Sequence, residues 1–147
     1  MHRTHTPQLL VLLTPLLMLS CFLLPRNPFR RDIAALGVEA ARGWQATGVY
    51  IAAGDVLTIT HVDGAWSPWP GDSYDAVGSG GDPRCRCNVM QAVSHAALIG
   101  RIGTSNPFLV GREFQHRVGE SGELELRIND IDLHDNSGEL KVLVEVD

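Results

Sequence analysis

Five side chains packed into eight residues carry most of the chemistry that this sequence offers: Asn129, Asp130, Asp132, Asp135 and Asn136. Carboxylates and amides at this density are hard oxygen donors, and they suit calcium, which takes roughly 6–8 oxygens at about 2.3–2.6 Å. His134 lies among them, where it would touch a ligand at the rim. An EF-hand would need Gly at the sixth loop position and Glu at the twelfth. Counted from Asp130, those positions hold Asp135 and Lys141, and the flanks do not read as helices. The plainer reading of the same residues is a polar turn, because Asp, Asn, Ser and Gly populate turns without any ligand.

Other chemistry is weaker. No Ser-His-Asp order, glycine-rich phosphate loop or Glu-based acid–base pair stands out, so the chain is not expected to be an enzyme. Asp130 and Asp132 could imitate the paired carboxylates of a glycosidase, but residues two apart at a strand end are better explained by a metal. Cys85 and Cys87, with His95 eight residues on, fall short of the four ligands of a structural zinc. A bridge across one intervening residue is strained, so the pair reads as two ordinary thiols or an intermolecular bridge. His61, His95 and His116 read as strand residues at sheet edges. Trp44 and Trp66 are expected as core anchors, and Trp69 near the site.

The elements that must hold the Asp-rich stretch are strands. Upstream, Leu124, Leu126 and Ile128 alternate with Glu123, Glu125 and Arg127; downstream, Leu140, Val142, Val144 and Val146 alternate with Lys141 and Glu145. Period-2 alternation on both sides makes a strand, loop, strand unit. Further strands are expected over Gly48–Ala52, Val56–Val62 (ended by Asp63-Gly64), Ala96–Ile102 and Phe108–Val118. Residues 33–44 fit a short helix or, over Gly37–Ala41, a strand. Ser67–Pro83, with Trp69, Tyr74, Asp75 and Asp82, is a loop long enough to be functional or disordered. Seven or eight short strands with regular turn signals mean an all-β sandwich.

Length and charge set the outer bounds. With 147 residues, 44% of them hydrophobic and 20% charged, the chain holds one ordinary globular domain. A net charge of −5 without a Lys/Arg run in the folded part excludes nucleic acid as the expected partner. From Leu9 to Leu24 sixteen residues carry no charge, after Arg3 and before Arg26, Arg30 and Arg31. As a helix they would span about 24 Å, short of the roughly 30 Å hydrocarbon core. The expected organisation is residues 1–32 as signal peptide or membrane anchor with a basic linker, and 33–147 as the β-sandwich. The domain is then membrane-tethered, facing the outside or the periplasm, or alternatively secreted or a lipoprotein on Cys21. The excess of arginines after the apolar run argues the other way, for a cytoplasmic domain.

One order of motifs runs through the domain: Gly43-Trp44-Gln45-Ala46-Thr47-Gly48-Val49, Gly54-Asp55-Val56-Leu57-Thr58-Ile59, Gly64-Ala65-Trp66-Ser67, Ala97-Leu98-Ile99-Gly100-Arg101-Ile102-Gly103, Val110-Gly111, Ile128-Asn129-Asp130 and Asp135-Asn136-Ser137-Gly138. In this order the chain resembles the PA-I-type galactophilic lectin family and related bacterial domains attached to glycoside hydrolases, over roughly residues 37–147. The resemblance implies a jelly-roll β-sandwich holding one calcium whose coordination the vicinal hydroxyls of a sugar complete. It implies Asp130, Asp135 and Asn136 as metal ligands through their side chains, and Asp132 and Trp69 through backbone carbonyls. For the sugar it implies Asp130, Ile131 (through its carbonyl) and Asp135, with Asp75 and His134 as further candidates. The sequence departs from the family twice. The loop between Asp130 and Asp135 is two residues shorter, and the family's sugar-contacting His and Gln have no counterpart in Tyr74–Pro83. Calcium therefore carries over better than galactose. The expected function is a calcium-dependent, galactoside-type carbohydrate-binding module, with self-association into a homo-oligomer left open. The alternative is a structural or protein-interaction sandwich, calcium-stapled or metal-free, without sugar binding.

Overall fold

The structure is a computed structural model that describes residues 32–81 and 86–147. Eight strands form in chain order: β1 (Asp32–Glu39), β2 (Gln45–Ile51), β3 (Val56–Ser67), β4 (Leu98–Ile102), β5 (Phe108–Leu109), β6 (Glu113–Arg117), β7 (Gly122–Ile128) and β8 (Ser137–Val146). They build two four-stranded sheets, β1-β8-β3-β6 and β2-β7-β4-β5, with every neighbouring pair antiparallel. The all-β sandwich expected from the alternation is what forms. Leu57 and Ile59 of β3, Leu124, Leu126 and Ile128 of β7, and Leu140, Val142 and Val144 of β8 are fully buried between the sheets, because period-2 side chains on facing strands all point inward. Trp66 fills the end of this core at 1% exposure, its Nε1 donating to Ala96 O at 2.8 Å.

Four details differ from the sequence reading. Of the two options for residues 33–44 the strand forms, but over Asp32–Glu39 and not Gly37–Ala41: Ile33 to Glu39 pair with Glu145 to Glu139 of β8, and the core's demand for an edge strand outweighs the alanine-rich helix option. β3 does not stop at Asp63-Gly64. It slips register between His61 and Asp63 and continues to Ser67, pairing with β8 throughout, as a bulge lets a long strand bend without ending. Phe108–Val118 divides into β5 and β6 in different sheets, and Phe108 and Phe114 stack across the gap with centroids 4.5 Å apart. Alternation within one segment cannot reveal such a switch of sheet. Last, His95 lies in the loop before β4 and is buried, not at a sheet edge. The apolar run Leu9–Leu24 lies outside the described residues, and among those that are described no helix is long and apolar enough to cross a membrane.

Gly64 is what makes the bend in β3 feasible. Its φ is +88°, and a Cβ there would stand 2.3 Å from Glu139 O of β8. Gly64→Ala is therefore expected to destabilise the domain by about 2–3 kcal/mol through backbone strain and steric overlap. Urea unfolding of the two proteins would check it; a loss below about 0.5 kcal/mol would contradict the close packing of β3 on β8.

Candidate functional site

The strand registers bring three stretches of loop to one end of the sandwich. Ser67, the last residue of β3, pairs with Ser137, the first of β8; Leu98, the first of β4, pairs with Ile128, the last of β7. The residues after β3, before β4 and between β7 and β8 therefore converge. Residues 129–136 are not a hairpin turn within one sheet: β7 and β8 belong to different sheets, so this stretch closes the sandwich end. Together these loops line a cleft of about 420 Å³, to which Trp69, Ser79, His95, Asp130, Asp132 and Asp135 contribute.

Asn129 fixes the floor. It is fully buried, its Oδ1 accepts from Met90 N at 2.8 Å, and its Nδ2 donates to the carbonyls of Met90, Val93 and Ser94 at 3.2, 3.2 and 3.1 Å. One amide thus substitutes for secondary structure over the loop leading to His95. Against this loop packs another: Gly78, at φ +82°, would direct a Cβ to within 2.3 Å of His95 O. Ile131 N donates to Cys87 O at 2.7 Å, tying the Asp-rich loop to the same segment. Cys87 is disulfide-bonded, which corrects the reading of two ordinary thiols.

Asp130 is 2% exposed and is the electrostatic centre of the cleft. Its Oδ1 accepts from Asp132 N at 3.0 Å, and its Oδ2 stands 3.8 Å from His95 Nε2. Burial raises its carboxyl above the usual range, against the attraction of His95, the Asp132 N–H and the Asn136 amide. Asn136 is 7% exposed; its Nδ2 donates to Ala40 O at 3.3 Å, and its Oδ1 is buried without a hydrogen-bond partner. The backbone carbonyl of Asp130 accepts from Arg127 Nη2, whose guanidinium lies 5.5 Å from the Trp44 ring centroid. Arg101 approaches the same ring at 4.5 Å. Trp44 thus packs beneath two arginines and is not a core anchor.

At the mouth, Asp132, His134 and Asp135 bring one ligand atom each within 4.8 Å of one another, all on exposed side chains. His134 Nδ1 bonds Asp132 Oδ1; this contact holds the Asp132 carboxyl low and the His134 imidazole high. Trp69 stacks on His95 with centroids 5.2 Å apart and planes within 3°, and meets Tyr74 edge-on at 5.9 Å. Its carbonyl accepts from Ser67 Oγ, and its Nε1 donates to Asp72.

Of the residues singled out in the sequence, Trp69, Asp130, Asp132 and Asp135 line the cleft. Asn136 is buried beside Asp130, and Ile131 and His134 are exposed on the same loop. Asp75 is engaged elsewhere: Oδ1 accepts from Val77 N at 2.8 Å, and Oδ2 from Arg112 Nε at 2.9 Å. Asp82 lies outside the described residues. His95, which the sequence offers only beside Cys85 and Cys87 or as a strand residue, lines the cleft 3.8 Å from Asp130, a place that only the tertiary fold gives it. The Val77 N–H first and Arg112 second hold the Asp75 carboxyl low. Its contribution to stability is present above the unfolded pKa near 3.8 and lost as pH falls below it. With the Asp75 side chain 31% exposed, Arg112→Ala is expected to cost no more than about 1 kcal/mol and to flatten that acid limb slightly. A stability profile from pH 3 to 6, compared with the wild type, checks this.

No protein-family model matches the chain, and no curated protein matches it. Among solved structures it is similar to the N-terminal domain of EclA, described as a PllA-like lectin, with a TM-score of 0.53 and 24% identity over 77% of this chain and 95% of that one. That likeness is one of fold; the described residues form an all-β sandwich whose Asp-rich loop closes one end.

Proposed function

We propose that the cleft binds carbohydrate through a calcium ion, held by the side chains of Asp130, Asp135 and Asn136 and the backbone carbonyls of Asp132 and Trp69. The observation that carries this is the partnerless Asn136 Oδ1, buried beside the buried carboxyl of Asp130. A buried oxygen without a donor costs about 1–3 kcal/mol, and a buried carboxylate costs more unless it meets a cation. A hard cation removes both penalties, and the donors present are all oxygens, the set that calcium prefers over zinc or copper. Calcium when bound would offer open coordination positions to neighbouring hydroxyls of a sugar. The protein's part is to accept the hydroxyl protons on carboxylates and to pack the apolar sugar face on an aromatic wall, here Trp69.

Galactosides are the ligand class to test first, because the motif order resembles galactophilic lectins and the solved neighbour is described as a lectin. Export of the domain is part of the same proposal. The Cys87 disulfide supports it, since such bonds persist in oxidising compartments. The apolar run Leu9–Leu24 would then be the signal or the tether. Thermal melting of the purified protein with calcium or chelator, with and without galactose, tests the proposal. Calcium is expected to raise the melting temperature, and galactose to raise it further only when calcium is present. A rise with calcium alone would favour the structural, calcium-stapled alternative, and no response to calcium would overturn the metal site.

A further inference from the structure

His95 has one ring nitrogen committed and one that faces the cleft. Asn88 Nδ2 donates to Val93 O at 3.1 Å, so Asn88 Oδ1 is the atom that meets His95 Nδ1 at 2.8 Å. That network places a proton on Nδ1 and leaves Nε2 turned to the cleft. Trp69 stacked on the imidazole fixes the plane of the ring. Among the described residues Nε2 makes no hydrogen bond, and Asp130 Oδ2 faces it at 3.8 Å. That separation is too long for a hydrogen bond. Two polar side chains, only 9% and 3% exposed, thus face one another across a gap in the wall of the cleft.

We infer that His95 Nε2 is a ligand-binding atom, hydrogen-bonded to one sugar hydroxyl while Asp130 Oδ2 accepts the proton of the adjacent hydroxyl. The inference rests on the carbohydrate reading above and adds the residue that sets which hydroxyls are recognised. Neighbouring ring hydroxyls are spaced to serve two polar atoms this far apart, and a hydroxyl can donate or accept. His95 also explains how a site lacking the expected His and Gln in Tyr74–Pro83 still offers a directional contact: the contact comes from the loop before β4.

The test is calorimetric titration of methyl β-galactoside, in saturating calcium, into wild type, His95→Asn and His95→Gln. Asn places an amide donor near the Nδ1 position, keeping Asn88 satisfied, but does not reach the Nε2 position; Gln places a carbonyl oxygen there. His95→Asn is expected to bind the galactoside about tenfold more weakly, the worth of one hydrogen bond, with calcium affinity unchanged. His95→Gln should recover most of that loss. In a series of singly deoxygenated methyl galactosides, one member should bind wild type and His95→Asn alike, identifying the hydroxyl that His95 receives. Wild-type galactoside affinity in His95→Asn would overturn the inference and leave the proposed function standing. Loss of calcium affinity in that variant would show that His95 supports the metal loop instead, and would overturn it too. Failure of the wild type to bind the galactoside in calcium would overturn the galactoside reading and this inference together.

Discussion

Asp130→Asn is expected to abolish calcium binding and yet to leave the calcium-free domain at least as stable as the wild type. Opposite signs under the two conditions follow from burial. In the calcium-free protein the carboxyl is raised above its ordinary value of 3.8, chiefly by desolvation. The folded state therefore holds a proton more readily than the unfolded chain does. The stability this gives is complete below the unfolded pKa and falls as pH rises through the raised folded value. At neutral pH the ionised side chain is thus a net cost, and an amide of the same shape removes it while still accepting from Asp132 N. In calcium the balance inverts, because the amide lacks the charge that compensates a divalent ion. At a calcium concentration a hundredfold above its dissociation constant, the wild type gains about 2.7 kcal/mol. For a domain of this size that corresponds to roughly 10 °C in melting temperature, and the variant should gain nothing. Paired melts in calcium and in chelator, with a calorimetric calcium titration, measure both signs. Undiminished calcium affinity in Asp130→Asn would remove Asp130 from the metal site.

Asn129→Ala should be among the most damaging single changes outside the apolar core. The side chain is fully buried and makes four hydrogen bonds to a loop that has no strand or helix of its own between Asn88 and Ala97. Truncation leaves Met90 N without its acceptor, at about 1–3 kcal/mol if it stays buried, and takes one of two donors from each carbonyl, since Met90 O keeps Val93 N, Val93 O keeps Asn88 Nδ2 and Ser94 O keeps Ala97 N. Some carbonyls will recover water as the loop loosens, so a loss of about 3 kcal/mol is expected. The ligand site should go with it, because the same loop carries Asn88 and His95. Asn129→Asp keeps an acceptor for Met90 N but no donor, and should fall between. Guanidinium unfolding gives the stability and calorimetry the ligand affinity; a cost under 1 kcal/mol would mean that the loop is held by something other than Asn129.

These two residues also show how far the sequence could be read. Asp130 was legible because charge density is a local property: three carboxylates between two alternating segments stand out in any fold. Asn129 was legible only as part of a motif. Its work is done on Met90, Val93 and Ser94, at least thirty-five positions away, and no local pattern encodes a partner so distant. Asp75 illustrates the converse. Its region reads as a loop that is functional or disordered, but the Val77 N–H and Arg112 claim its carboxylate, and ion pairing between distant segments is invisible to composition.

The sequence by itself determined the β architecture, because alternation of Leu, Ile and Val with polar residues decides which face of each strand meets water. It determined the acidic loop as well, since turn chemistry and oxygen donors are set within ten residues. The tertiary structure alone decided that β7 and β8 lie in different sheets, that Phe108–Val118 divides between them, and that His95 faces Asp130 beneath Trp69. Each of these depends on which strands become neighbours, and that choice is made by packing two sheets on one core, a sum over the whole chain that no single segment carries.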